Sequence, residues 1–449
     1  MTETTLVKKK YRIGRDAVII FVIGVLLFSL SLVQQTFYAS ESNLLLFAQN
    51  ISVHGWRLFP SIQGIHYPDQ PSTAAAVLYL FSPGTLSRFT AGLPSAICSA
   101  LTLMLIYLIA APHSRKWGFC ALLFALFTYL FTFSARSAGI EPYLMLITTL
   151  CFYLVYAKEV YLFSAKIWWV LLLCILGFLF CGPMGYILPA CVIGSYYLLA
   201  KRWQTFSIFI ATAFIIFVIL IWYYLRMAYL TGGATFVQQL LYAQLAGKTA
   251  YATAKPFGYY WLHALSGYAL SYPIAIIVLL GLLSKVFKLE CGKRIKLIQH
   301  LAAWAIIILL ICSLQPYKHL QNLLPMTPAC ALIAGYLFVD EEQIAWISGI
   351  RKAIAFLLFI TPFISAFLCL IAKNLARHRL HENFHAPYTL VFFLLLLLQI
   401  IAIIYGLAKH QSRKESMGLL VGTLSVLVVF ILVVEPALLL KTNLIVSNI

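Results

Sequence analysis

The chain has 449 residues, of which 63% are hydrophobic and 10% charged, and its net charge is +19. A water-soluble domain of this size needs far more polar surface, so soluble folds are excluded. The 32 Lys and Arg sit in short stretches between apolar runs, a pattern that orients membrane proteins and does not point to nucleic acid. The ten cysteines are scattered, mostly inside apolar runs, and show no CxxC or Cys/His metal spacing.

A bilayer crossing needs about 20 mostly apolar residues. In chain order, apolar runs predict spans at 17–34, 88–111, 117–133, 142–157, 166–181, 184–200, 205–227, 262–283, 300–314, 323–339, 354–372, 388–408 and 418–440. The expected fold is therefore all-α: a polytopic bundle of about thirteen crossings forming one transmembrane domain over 1–449, with no separate soluble domain. The first run follows Lys8-Lys9-Lys10, Arg12 and Arg15, and is longer than a signal-peptide core, so it reads as a retained anchor. The runs at 142–157 and 166–181 are short for a full crossing, so one of them is a candidate re-entrant segment.

Charge sets the expected orientation. With a cytoplasmic N-terminus and strict alternation, 21 of the 32 Lys and Arg fall on the inner side, at least two in every inner segment. That bias follows the positive-inside rule and puts the C-terminus outside. Two outer segments, 35–87 and 228–261, are too long to be turns, and loops of that length are commonly structured or functional. In the first, Asn43 to His54 is helix-like, with Leu44, Leu45, Phe47 and Ile51 forming an apolar stripe expected to lie on the membrane surface. A Pro-rich part follows around Pro60, Pro68 and Pro71. Phe257, Tyr259, Tyr260 and Trp261 end the second, as suits a chain re-entering at headgroup depth.

Outer carboxylates are few: Glu41, Asp69, Glu141, Glu382 and Glu435. The first three flank the first few spans. A carboxylate near the bilayer is costly and marks a functional site by default. The alternative for each is a solvated loop acid. Of the outer basic residues, Arg136, Lys255, Lys318 and His319 fall in segments that also carry motifs; interface snorkelling explains any one of them as well.

Several short motifs come in order. They are Ser40-Glu41-Ser42; Gly55-Trp56 with Pro60 and Gly64; Tyr67-Pro68-Asp69-Gln70-Pro71; and the run from Arg88 to Ala96. Ala135-Arg136-Ser137-Ala138 with Glu141 follows, then Gly182-Pro183-Met184-Gly185, Pro256-Phe257-Gly258-Tyr259-Tyr260, and Pro316-Tyr317-Lys318-His319 with Leu323-Leu324-Pro325. Together, over about residues 10–340, they make the chain resemble the GT-C superfamily of membrane glycosyltransferases. The branch concerned includes protein O-mannosyltransferase-like enzymes and the lipid A aminoarabinose transferases.

The resemblance implies transfer of a sugar from a polyprenyl-phosphate donor to an acceptor hydroxyl at the outer face of the bacterial inner membrane. It implies Glu41 or Asp69 as the base, with Glu141 orienting it. It further implies Arg136, Lys255, Lys318 and His319 around the lipid phosphate, and Tyr67, Tyr259 and Tyr260 along the substrate path. The family's leading Asp is Ser40 here, its next Arg and Tyr are Asn43 and Leu44, and the Lys after its second acid is Gln70. The Lys of its Gly-Pro turn is Cys181, and the Tyr before its last Leu-Pro is Asn322. No cofactor is assigned: no His lies between Arg226 and Pro256, where one branch of the family has a metal ligand, although a divalent metal stays open. Two other readings remain, a flippase or transporter for a lipid-linked saccharide and a non-catalytic relative.

Overall fold

The computed structural model describes residues 3–30, 32, 37, 41–62, 65–68, 71–82, 87–161, 167–246, 254–283, 292–339, 345–379, 388–408 and 411–434. The described chain is a helix bundle. Helix α1 (Glu3–Ser29) contains the first basic cluster and most of the first apolar run. Next come α2 (Ser42–His54), a two-residue hairpin of β1 (Ser61–Ile62) and β2 (Ile65–His66), and α3 (Thr73–Phe81). The hairpin is antiparallel, pairing Ser61 with His66 and Ile62 with Ile65. It occupies the Pro-rich part of the first long segment, where the sequence suggests only loop.

The long helices follow the apolar runs. Helix α4 (Arg88–Ala110) starts at a reciprocal cap, with Thr90 N donating to Ser87 Oγ and Ser87 N to Thr90 Oγ1. Two predicted spans are broken. The run 117–133 forms α5 (Arg115–Phe127) and α6 (Tyr129–Ala135), bent by 77° at Thr128. The run 262–283 forms α11 (Tyr259–Gly267) and α12 (Ser271–Leu283), bent by 115°. The two breaks meet: Thr128 Oγ1 lies 2.8 Å from Ser271 Oγ and donates to Phe124 O at 2.9 Å. Helix breaks leave backbone groups without their helical partners, and these hydroxyls sit where such groups need company. The short runs expected to include a re-entrant segment are instead continuous helices, α7 (Glu141–Tyr161) and α8 (Ile167–Cys181).

Helix α9 (Pro183–Leu199) starts on Pro183, and α10 (Trp203–Ala246) is far longer than the span expected at 205–227. It kinks at Gly232 and Gly233, the latter with φ +70°, which an L side chain rarely adopts. In the segment expected as a second outer loop, 228–261, residues 228–246 are therefore helical. Next come α13 (Gly292–Leu314), a 3₁₀ stretch Leu320–Met326, α14 (Thr327–Tyr336), α15 (Ala345–Arg379) and α16 (Tyr388–Ala408). Helix α17 (Gln411–Val429) then runs into a π turn at Phe430–Val434.

Among the described residues, four helices are long and apolar enough to cross a membrane, or up to six if each bent pair is one span. Shorter apolar helices account for other predicted runs, so the crossing number of thirteen does not follow from helix length and composition. The core centres on α14, where every residue is buried. A Cβ at Gly335 would lie 2.7 Å from Ala121 N, so only glycine allows α14 this close to α5. Two buried indoles donate to carbonyls of this region, Trp117 to Leu332 O at 2.7 Å and Trp304 to Pro325 O at 3.1 Å. The last three helices add a second small core around Ala366, Cys369, Val391 and Leu395.

Candidate active site

The site is built where α2, the start of α7 and the ends of α10 and α13 converge. Helix α2 begins right after Glu41. Its Leu44, Leu45, Phe47 and Ala48 are buried against the protein. The apolar stripe expected to lie on lipid thus packs inward, because it covers the site and the hairpin; Asn50 Oδ1 accepts from His54, and Asn50 Nδ2 donates to Ser61.

Glu41 is buried and pairs with Arg88, the first residue of α4, while its other oxygen accepts from Ala138 N at 2.6 Å. Arg88 also donates to Arg136 O at 2.9 Å. Arg136, fully buried, donates to Phe28 O at 3.2 Å and Leu27 O at 3.4 Å. Those carbonyls belong to the last turn of α1, where helical partners run out. One relay of charge-assisted bonds therefore ties α1, α2, α4 and the turn before α7 together. Removing one member of a buried ion pair leaves an uncompensated charge and costs about 3–5 kcal/mol.

Glu141 opens α7 and is half-buried. The positive end of a helix dipole suits a carboxylate there. Glu41 and Glu141 line one cavity of about 420 Å³. Its wall also includes Asn43, Leu44 and Phe47 of α2, the turn Ser137-Ala138-Gly139, Cys181, and Ala243 and Gln244 from the far arm of α10. Cys312, Gln315, His319, Gln321 and Asn322 complete it on the other side. The kink in α10 brings Gln244 to the Gly-Pro turn: Gly182 has φ +64°, and a Cβ there would lie 3.2 Å from Gln244 Oε1.

Beside the cavity, two lysines clasp each other's backbone. Lys255 Nζ donates to Lys318 O at 2.8 Å, and Lys318 Nζ donates to Lys255 O at 3.0 Å and Gln315 O at 2.5 Å. Lys318 is buried; burial and the neighbouring Lys255 ammonium hold its pKa below the ordinary lysine value. Lys255 also stands 4.3 Å from the centre of the Tyr259 ring. Tyr260 is buried and donates to His319 O at 3.0 Å, and Tyr268 donates to Leu320 O at 2.8 Å. The clasp thereby positions Gln315 and His319 on the cavity wall.

Of the residues singled out in the sequence, Glu41, Glu141 and His319 come together on the cavity wall. Tyr67 packs on Phe47, ring centres 5.4 Å apart, and its N–H donates to Pro60 O. Lys255, Lys318, Tyr259 and Tyr260 form the clasp, and Arg136 stands behind Arg88. Asp69 lies outside the described residues, as do Glu382 and Glu435. Sequence reasoning did not single out the carboxamide wall, although two of its members, Asn43 and Asn322, are departures from the family pattern. Among the described residues no three His, Cys, Asp or Glu gather closely enough to hold a metal ion.

No protein-family model matches the chain. An uncharacterized protein of Aquifex aeolicus (strain VF5) is 30% identical over 284 residues, 62% of this chain and 61% of that protein. The match thus spans less than two thirds of that relative. ArnT from Cupriavidus metallidurans bound to undecaprenyl phosphate superposes with a TM-score of 0.68 at 14% identity, over 95% of this chain and 77% of that one. Its apo state superposes with a TM-score of 0.67 at 13% identity, over 96% and 78%. A shared fold over nearly the whole length, at an identity too low to carry residue roles, leads to one conclusion: this chain is a multi-pass membrane protein with the fold of ArnT.

Proposed function

We propose that the chain transfers a sugar from a polyprenyl-phosphate carrier to an acceptor hydroxyl at the outer face of the cytoplasmic membrane. One observation carries the reading: in a fold shared with ArnT, carboxylates from distant segments, Glu41 and Glu141, line one cavity with His319. An ArnT structure holding undecaprenyl phosphate supports a lipid phosphate as the leaving group.

In the reaction, the acceptor oxygen bonds to the anomeric carbon and the bond from that carbon to the phosphate oxygen breaks. The phosphate leaves with the electron pair, and the hydroxyl proton passes to a carboxylate. Both oxygens of Glu41 already accept bonds, one from Arg88 and one from Ala138 N, so Glu41 is a positioning residue here. Glu141, or Asp69 of the Tyr67 motif, takes the proton. His319 and Lys255 meet the phosphate at the rim, with Tyr67 and Tyr259 along the approach. Lys318, Arg136 and Tyr260 hold the backbone that presents them. The far arm of α10 covers the cavity and excludes water, which would otherwise compete as acceptor.

The test is release of polyprenyl phosphate from a labelled polyprenyl-phosphate sugar, with envelope extract as the acceptor source. The expected result is release that depends on the acceptor. Scrambling of the intact donor across liposomes without release would instead identify a flippase. Neither activity would leave a non-catalytic relative. A reporter fused after Ile449 and active only in the cytoplasm would overturn the proposed orientation, an outer C-terminus.

A further inference from the structure

The end of the bundle opposite the cavity concentrates positive charge. Helices α9 and α13 run antiparallel in matched register. Met184 and Cys312 both line the cavity, and the rings of Tyr196 and His300 stack 4.3 Å apart further along the same two helices. Met184 to Tyr196 and His300 to Cys312 are both intervals of twelve residues. Lys296 stands four residues beyond His300 and Lys201 five beyond Tyr196, so both lie about 6–8 Å further from the cavity at 1.5 Å per residue. Lys293, Lys296 and His300 have i, i+3, i+7 spacing, so they share the helix stripe that His300 turns toward α9. Lys201, Lys293 and Lys296 are all exposed.

Lys201 occupies its place at a conformational cost. Helix α9 ends in a paired cap, in which Arg202 N donates to Tyr197 O at 3.1 Å and Lys201 N to Leu198 O at 3.0 Å. The cap puts Lys201 at φ +56°, where glycine is the usual residue and an L side chain is strained. A strained backbone position that carries a charge points to a use for that charge. Helix α10 begins two residues later at Trp203, so the positive end of its dipole lies at the same corner. Exposed Trp203 and Trp222 are nineteen residues apart on α10, about 28 Å at 1.5 Å per residue, which matches a hydrocarbon core of roughly 30 Å. Tryptophan favours the two membrane interfaces, so Trp203 sets this corner at headgroup depth in the leaflet opposite the cavity.

We propose that Lys201, Lys293 and Lys296 form a binding site for a phospholipid with two phosphates, of the diphosphatidylglycerol type, in that leaflet. Basic pockets between transmembrane helices suit such headgroups. The lysines stand on two sides, Lys201 where α9 passes into α10 and Lys293 with Lys296 on α13, and two linked phosphates meet both sides at once. A headgroup with one phosphate meets one side at a time. Exposed Ile208, Ile215 and Ile219, on one face of α10, continue into the bilayer and offer the acyl chains an apolar surface. Orientation of the chain requires positive charge in these segments, but neither the shared stripe nor a lysine at a glycine position. The site is independent of the transferase reading.

The experiment adds defined lipids to the full chain, delipidated in detergent, and reads bound lipid by native mass spectrometry and folding by thermal melt. The probes are diphosphatidylglycerol, phosphatidylglycerol and phosphatidylethanolamine. Diphosphatidylglycerol should bind at least about tenfold more tightly than phosphatidylglycerol, with phosphatidylethanolamine the weakest. The double variant Lys293→Gln, Lys296→Gln should weaken diphosphatidylglycerol binding at least about tenfold and leave the lipid-free melt unchanged. Lys201→Gly should weaken that binding about fivefold while raising the lipid-free melt, because glycine relieves the strained position. A residue that served folding alone would not split those two readouts. Equal affinity for diphosphatidylglycerol and phosphatidylglycerol, or undiminished diphosphatidylglycerol binding in both variants, overturns the proposal.

Discussion

Two Arg–carboxylate clusters hold this bundle, one partly open to solvent and one buried, and they differ in what stands next to them. Midway along α1, Asp16 accepts from Tyr107 OH at 2.8 Å and from Arg115 at 3.1 Å and 2.5 Å, with Arg15 3.8 Å away. At the C-terminal end of the same helix, the relay of Glu41, Arg88 and Arg136 closes over the last carbonyls of α1. Asp16 and Ser29 are about 20 Å apart along the helix, at 1.5 Å per residue. The Asp16 cluster ties α1 to α4 and α5, and Arg115 remains 43% exposed. The Glu41 pair is buried, with its side chains 1% and 2% exposed, and Glu41 forms part of a cavity wall. The same pairing chemistry therefore serves as a surface tie at the middle of α1 and as the frame of a site at its C-terminal end.

The contrast predicts unequal mutational costs. Arg88→Met should have the largest effect, because it strands a buried carboxylate: about 3–5 kcal/mol of stability, read as loss of folded protein in detergent melts. Arg115→Met, its counterpart, should cost about 1 kcal/mol, since solvent reaches that guanidinium and Tyr107 still donates to Asp16. Equal losses in the two variants would erase the distinction drawn here.

Next in size is catalysis. Glu141→Gln or Asp69→Asn should cut turnover at least about a hundredfold while the melt stays near wild type. Glu41→Gln should lower the melt and turnover together, as befits a frame residue. Full turnover in both Glu141→Gln and Asp69→Asn would remove the proposed base.

Acid should separate the clusters further. Burial alone would raise the Asp16 pKa, but hydrogen bonds from Tyr107 and Arg115, with the charges of Arg115 and Arg15, bring it below the ordinary aspartate value. A depressed folded pKa contributes stability that is complete above the unfolded value, about 3.9, and is lost as pH falls through the lower folded one. Asp16→Asn should flatten the acid side of the stability profile below about pH 4, and an unchanged profile would show that this ion pair adds nothing.

The smallest predicted effect is at the clasp. Tyr260→Phe removes one hydrogen bond to His319 O and should cost about 1 kcal/mol, with a rise in KM larger than the fall in kcat. A fall in kcat alone would place Tyr260 in the chemistry instead.

Much of this architecture is legible in the sequence, because apolar runs and caps are local. The helices of α4, α7, α8, α9 and α13 follow their runs, and the helix at Ser42–His54 is where its pattern puts it. Other features are not local. The bends at Thr128 and before Ser271 bring two distant breaks into side-chain contact, Thr128 with Ser271. The α2 stripe reads the same whether it faces lipid or protein, and tertiary packing turned it inward. Arg136, which reads as a phosphate ligand from its motif, instead donates to Leu27 O and Phe28 O, a partnership more than a hundred residues distant in sequence.

The sequence by itself determined that this is an all-α membrane protein, that three of its carboxylates, Glu41, Asp69 and Glu141, flank the first few apolar runs, and that its motifs resemble those of the GT-C superfamily. Composition and periodicity suffice for the first of these, since lipid tolerates few backbone solutions, while the resemblance rests on the order of the motifs. Only the tertiary structure decided which of those acids share a cavity and which cations are already engaged. It also decided that carboxamides from three segments form the cavity wall. Each of those outcomes depends on side chains brought together across long stretches of chain, and no local pattern encodes which ones will meet.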